Sequence, residues 1–195
     1  MFHPTKSLGL AVCVAAGWAC APSPSIQVPR NPSPSRPTPV PPVLPIAFIT
    51  ASATLHDASG RRVGTVTFAD SYAGVLVRGN VFDLGLGVHG IHIHSVGKCD
   101  PPFTSAGGHF NPQSRQHGYL NPRGPHLGDL PNITTPAAGT LTFEYLLPGV
   151  TLKGRNALLD GDGAAVVIHA NGDDYHTDPA GGSGARAACG VIIAR

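Results

Sequence analysis

From residue 46 onward, apolar and polar positions alternate with period two, and β-branched residues fill many of the apolar positions. Such alternation puts successive side chains on opposite faces of an extended strand, so one face can meet a core and the other water. Runs bounded by turn residues predict strands over 47–56, 61–69, 74–82, 88–95, 130–134, 139–146, 164–169 and 187–194. Within 74–82, Val75, Val77, Gly79 and Val81 share one face, while Arg78 and Asn80 point to the other. Within 139–146, Leu141, Phe143 and Tyr145 alternate with Thr140, Thr142 and Glu144. Asp57-Ala58-Ser59-Gly60 reads as a hairpin turn. No stretch has the pattern of a long amphipathic helix. Short strands around one long interruption, 96–129, predict an all-β sandwich or barrel carrying a single functional loop.

The amino-terminal part follows other rules. In residues 1–19, Lys6 precedes an apolar stretch from Leu8 to Ala19, which predicts a short secretory signal peptide. Gly17 and Ala19 supply small residues where a signal peptidase reads. Cys20 follows directly, a placement that resembles a bacterial lipoprotein signal, whose Cys is acylated after cleavage. Gly17 and Trp18 depart from the usual residues there, and Cys13 is a weaker second candidate. The alternative is cleavage near residue 19 without a lipid. Residues 20–45 then carry ten prolines between Pro22 and Pro45. Proline fixes φ and removes a donor, so this stretch predicts an extended tether of at most about 3.1 Å per residue. The remaining 46–195 is long enough to bury a core of its own.

Charge excludes one class of partner. The chain has 13 basic and 11 acidic residues, a net charge of +2, so there is no basic surplus for nucleic acid. Histidine changes the picture more. Six of the ten histidines fall between His89 and His126. His92 and His94 alternate on a predicted strand and project to the same side, with Ile93 toward the core. The long loop adds His109, His117, His126 and Asp129, and His169 ends the apolar strand from Ala164. Seven such groups are too many for one tetrahedral site, but suffice for two sites that share a ligand. Imidazole suits zinc and copper, and a carboxylate is compatible with zinc. His3, His56 and His176 read as surface residues.

Four motifs, His89-Gly90-Ile91-His92-Ile93-His94, Ala106-Gly107-Gly108-His109-Phe110-Asn111-Pro112, His126-Leu127-Gly128-Asp129-Leu130 and Gly184-Ala185-Arg186-Ala187-Ala188-Cys189-Gly190-Val191-Ile192, together resemble copper–zinc superoxide dismutase of the bacterial exported type. The resemblance covers roughly residues 48–195. It implies an eight-stranded Greek-key β-sandwich or barrel with a long metal-binding loop, and an enzyme that turns two superoxide anions and two protons into dioxygen and hydrogen peroxide by Cu(II)/Cu(I) cycling. It implies copper held by His92, His94, His109 and His169, and zinc by His109, His117, His126 and Asp129. His109 is then the shared ligand, leaving copper and taking a proton on reduction. Asp173 would orient His92 and His117 from behind, His89 would bond backbone, and Arg186 would attract the anion.

The resemblance also implies a disulfide between Cys99 and Cys189, pinning the loop to the last strand. Cys99 follows His94 by five residues, as in the exported bacterial members. Only residues 170–185 separate His169 from Arg186, and they hold Asp173, Asp174 and Asp178 but no Lys. Arg186 is therefore expected to be the dominant attracting charge. The quaternary arrangement does not carry over from the resemblance, because bacterial and eukaryotic dimers use different faces, so a homodimer stays an open alternative. Asn132-Ile133-Thr134 fits a glycosylation sequon and reads as chance in an exported bacterial protein. Two competing readings are a copper-buffering module without catalysis and a structural envelope-anchored β-domain. Relatives of the first kind lack ligands or the arginine, whereas here all these positions are filled.

Overall fold

The computed structural model describes residues 50–137 and 139–195. The expected signal peptide, the proline-rich tether with Cys20, Cys13, and the first residues of the 47–56 strand lie outside them. Each alternating run forms a strand: β1 (Thr50–Asp57), β2 (Arg62–Ser71), β3 (Gly74–Phe82), β4 (Gly87–His89), β5 (Ile91–His94), β6 (Ile133–Thr135), β7 (Thr140–Pro148), β8 (Ala165–His169), β9 (Arg186–Val191) and β10 (Ile193–Ala194). The only helical element among the described residues is a 3₁₀ turn, Thr104–Ala106.

The strands pair antiparallel in the order β5-β8-β9-β1-β2-β3-β7, with β10 added to β1 and a short β4–β6 pair beside them. The chain makes β1, β2 and β3 as neighbours and then crosses to β5 at the far edge. It returns to place β7 beside β3, and crosses again to insert β8 next to β5. These long connections are the expected Greek-key pattern. The β1–β2 turn forms as read. The Asp57 carboxylate accepts from the N–H of Ser59 at 2.9 Å and of Arg61 at 3.0 Å, and Gly60 adopts φ +85°.

The curled sheet encloses Leu55, Val66, Phe68, Val75, Val77, Val81, Ile91, Ile93, Val166 and Ile168. The period-two reading of β3 and β7 holds: Arg78 and Asn80 are exposed between buried neighbours, and Thr140, Thr142 and Glu144 alternate with half-buried Leu141, Phe143 and Tyr145. The 130–134 run pairs only from Ile133, and two other predicted strands are interrupted. The 88–95 run breaks at Gly90, whose N–H donates to Asn171 O at 2.8 Å rather than to a sheet neighbour. The 187–194 run breaks at Ile192, whose N–H turns to Ala164 O at 2.9 Å. A second apolar cluster lies on the other face of β8 and β9, where Phe103 and Ala106 of the loop cover Ala165, Val167 and Cys189. Cys99 and Cys189 are disulfide-bonded there, with Cα atoms 5.7 Å apart. The start of the long loop is thus fixed to the sheet by both packing and a covalent link.

Candidate metal centre

The long loop passes β5 twice. Ile93 N–H donates to Gly128 O and Phe110 N–H to Ile93 O, both at 2.8 Å, and Gly128 N–H donates to Phe110 O at 2.9 Å. Gly128 permits this approach, because a Cβ there would lie 2.4 Å from Ile93 O. The two passes carry His109 and Asp129 to the side of β5 that bears His92 and His94, and β8 brings His169 beside them. His92, His94, His109 and His169 each place one ring nitrogen within 4.8 Å of the others. His92, His109, His117 and Asp129 form a second such group, in which His92 stands where His126 was expected.

A bond behind nearly every ring selects which nitrogen stays free. His94 Nδ1 lies 2.9 Å from Gly107 O, and His169 Nδ1 lies 3.3 Å from Gly184 O. A carbonyl only accepts, so each Nδ1 carries the proton and each Nε2 keeps a bare lone pair. Asp173 does the same for two rings at once, accepting from His92 Nε2 at 2.8 Å and His117 Nε2 at 2.9 Å. That leaves Nδ1 as the inner nitrogen of each ring. Gly181 makes room for the carboxylate, since a Cβ there would sit 1.8 Å from Asp173 Oδ1.

His92 Nδ1, His94 Nε2, His109 Nε2, His169 Nε2 and His117 Nδ1 are buried without any hydrogen-bond partner. Leaving one buried acceptor unmade costs about 1–3 kcal/mol, so the orphan nitrogens of His92, His94, His109 and His169 fit a site built to hold a cation, while His117 Nδ1 faces Asp129 Oδ1 at 3.1 Å. The sixth orphan is His89 Nε2; His89 Nδ1 bonds His169 O at 2.8 Å, the backbone role expected of it.

Three imidazoles gather around one carboxylate oxygen beside this second group. Asp129 Oδ1 lies 2.9 Å from His109 Nδ1, 3.1 Å from His117 Nδ1 and 3.2 Å from His126 Nδ1. His126 Nδ1 lies 3.3 Å from His109 Nδ1. A zinc ion with ligands at about 2.0–2.1 Å needs ligand–ligand edges of roughly 3.3 Å. His126 Nδ1 is the other imidazole nitrogen close to Asp129 and His109. His92 and His109 belong to both groups, and of the two only His109 also has its Nδ1 against the Asp129 carboxylate.

Electrostatics agree with neutral ligands in the first group. Burial, then the neighbouring His109, push His94 down to about 2. Burial and nearby His92 push His169 to about 3, and burial takes His109 to about 4 against its bond to Asp129. His117 behaves oppositely. Burial opposes its charge, but Asp129 on one side and Asp173 on the other raise it to about 9. A divalent cation among the second group would take the place of that proton. Both carboxyls are held well below the usual range: burial alone would raise them, and the histidine hydrogen bonds outweigh it.

A cavity of about 460 Å³ opens above His94, His109 and His169. Arg186 lines it, with Nη1 donating to Phe103 O at 2.5 Å and Nη2 to Gly107 O at 2.6 Å. Gly107 O is also the acceptor that orients His94, so the disulfide-anchored segment fixes both the arginine and a ring. Arg115 lines the same cavity, a feature the motifs do not carry. Asn111 clamps its backbone, accepting from Arg115 N–H at 3.0 Å and donating to Arg115 O at 2.8 Å, and its exposed side chain makes no ion pair among the described residues. Hydropathy could not single it out, because a polar loop residue gives no sign of where it points. Of the loop acids, Asp178 lies at the rim and accepts from His117 N–H at 2.6 Å, while Asp174 accepts from the N–H groups of His176 and Thr177. His56 and His176 are exposed and outside the centre.

A family model described as copper/zinc superoxide dismutase matches residues 62–192. The Cu-Zn superoxide dismutase 1 of Aquifex aeolicus (strain VF5) is 45% identical over 144 residues, covering 72% of this chain and 85% of its own. The Cu-Zn superoxide dismutase of Caulobacter vibrioides is 46% identical over 147 residues, covering 73% of this chain and 84% of its own. Among solved structures, the Cu/Zn superoxide dismutase from Brucella abortus is 31% identical, with TM-score 0.61 over 74% of this chain and 99% of that one. A SOD-like protein from Bacillus subtilis is 37% identical, with TM-score 0.70 over 73% of this chain and 97% of that one.

Proposed function

This chain belongs to the copper/zinc superoxide dismutase family, and from that premise we propose how its residues carry out the reaction. The enzyme is a superoxide dismutase: two superoxide anions and two protons become dioxygen and hydrogen peroxide, one anion losing an electron and the other gaining it. When bound, copper supplies the one-electron couple, and zinc, which is d¹⁰, supplies a fixed charge and a structural anchor. We assign copper to His92, His94, His109 and His169, and zinc to His109, His117, His126 and Asp129. The observation that carries the assignment is His109. Its Nδ1 lies 2.9 Å from Asp129 Oδ1, its Nε2 is buried without a partner, and the residue belongs to both ligand groups.

Arg186 draws the anion into the cavity. Guanidinium has five N–H donors, and the bonds to Phe103 and Gly107 leave others for a small oxyanion. His109 lines the cavity, and its Nε2 can hold a proton for the peroxide that leaves, with Nδ1 kept on the zinc side by Asp129. Asp173 fixes the His92 and His117 tautomers, so neither ring can turn its protonated nitrogen inward.

The test is superoxide decay by the full chain after loading with copper and zinc. Fast decay that disappears with chelation is expected. Both metals bound with no acceleration over free solution would make this a metal-binding module instead. The segment from Lys6 through Cys20 and the prolines that follow support export, acylation of Cys20 and protection of the cell envelope from superoxide. Mass spectrometry of the mature amino terminus checks this. A diacylated Cys20 is expected, and an unmodified terminus in the soluble fraction would refute the anchor.

A further inference from the structure

The motif Asn132-Ile133-Thr134 has the form of a sequon, yet Asn132 is half-buried and its side chain is fully engaged. Asn132 Nδ2 donates to Asp173 O at 2.8 Å, and Asn132 Oδ1 accepts from Asp173 N–H at 2.8 Å. The amide nitrogen that a glycan would modify is therefore spent on Asp173. The backbone of Asn132 is engaged too. Its N–H donates to Tyr175 Oη at 2.6 Å, and its carbonyl accepts from Tyr145 Oη at 3.1 Å. Every polar group of this residue is used, and three of the four bonds go to residues 173 and 175.

Position in the chain gives this latch its meaning. Asn132 stands three residues beyond Asp129, on the short connection into β6. Asp173 lies on a different loop, between β8 and β9, and its carboxylate holds the outer nitrogens of His92 and His117. The Asp173 backbone has no sheet partner to fix it. The paired bonds to the Asn132 amide take the place of one, in the way a strand neighbour would, while Tyr175 N–H braces the carboxylate itself at 2.6 Å.

We propose that Asn132 is a positioning residue that holds Asp173 in register with His92 and His117, and so couples the retention of both metals. It touches neither metal nor substrate. Its effect passes through Asp173 to one ring of each site. Outer-shell partners of metal ligands are worth about 10–100-fold in metal affinity; acting one residue further out, Asn132 should sit near the lower end. The inference rests on the metal assignment made above.

The experiment uses the full chain loaded with copper and zinc. Zinc release to a chromogenic chelator and the copper paramagnetic resonance spectrum are recorded for the wild type, Asn132→Ala, Thr134→Ala and Ile133→Val. Thr134→Ala destroys the sequon and leaves Asn132 in place. Ile133→Val trims the buried neighbour and reports the effect of lost packing alone. Asn132→Ala should release zinc roughly tenfold faster and alter the copper spectrum through His92. Thr134→Ala should match the wild type, and Ile133→Val should lower the unfolding temperature without changing the spectrum. Wild-type release and spectrum in Asn132→Ala would overturn the proposal. So would equally fast release from Ile133→Val, which would make the effect one of stability. A wild type that binds neither metal would instead overturn the metal assignment on which the proposal stands.

Discussion

At the scale of single residues, the site is a set of lone-pair choices. Gly107 O, Gly184 O and Asp173 each take the proton-bearing side of a ring and leave the other nitrogen as the inner one. The cluster proposed as ligands was legible in the spacing and motifs, since alternation on β5 already puts His92 and His94 on one side. The acceptors that orient them were mostly not legible, because a backbone carbonyl has no signature in sequence. Charge was half legible. Arg186 is where the carboxy-terminal motif places it, but Arg115 shares the cavity and the account cannot rest on Arg186 alone. Arg186→Glu should slow superoxide decay more than Arg186→Lys, with copper and zinc content unchanged. Arg115→Glu should slow it less, since that side chain is exposed at the rim, and its effect should fade with added salt as the Debye length shrinks to about 3 Å at 1 M. Stopped-flow rates at several salt concentrations check both. An unchanged rate in Arg186→Glu with both metals bound would contradict the placement of the arginine.

At the scale of elements, the strands follow from alternation and the long loop from its absence. Period two identified β1, β2, β3 and β7 well. It could not foresee the breaks at Gly90 and Ile192, because both arise from hydrogen bonds to residues distant in the chain. The loop has no regular period, and its path is set instead by its two passes along β5 and by the Cys99–Cys189 bond. That bond closes 90 residues, which on the chain-entropy account contributes about 4–5 kcal/mol. It also holds the segment whose Phe103 and Gly107 carbonyls grip Arg186. Cys99→Ser should therefore lower the unfolding temperature by roughly 10–15 °C for a domain of this size. It should also reduce the superoxide rate at temperatures where the protein is still folded. Calorimetry and kinetics on one preparation separate the two. A loss of stability with no loss of rate would show that Arg186 holds its place without the clamp.

At the scale of the whole molecule, the buried imidazoles tie stability to pH in the metal-free protein. His94, His109 and His169 are held at about 2, 4 and 3 in the folded state, against about 6.5 unfolded. Below pH 6.5 the unfolded chain binds protons that the folded one refuses, so their contribution is whole above 6.5 and is lost as pH falls through the folded values of about 4, 3 and 2. His117, raised to about 9, works the other way: its contribution is whole below 6.5 and is lost as pH rises to 9. Metal-free protein should be most stable near pH 6.5 and fall more steeply on the acid side, with up to three protons linked against one. Denaturant melts across pH 4–9 check this, and an apo-protein whose stability is flat over that range would contradict the burial of these rings. Metal binding to the same nitrogens should remove most of the alkaline loss. The central claim is that one imidazole, His109, joins the two sites, and paramagnetic resonance addresses it most directly. With copper in its own site and Co(II) in place of zinc, a shared imidazole couples the two ions, and the copper signal should broaden or vanish relative to the zinc-loaded protein. A copper spectrum identical with Co(II) and with Zn(II) at full occupancy would show that His109 does not bridge the sites.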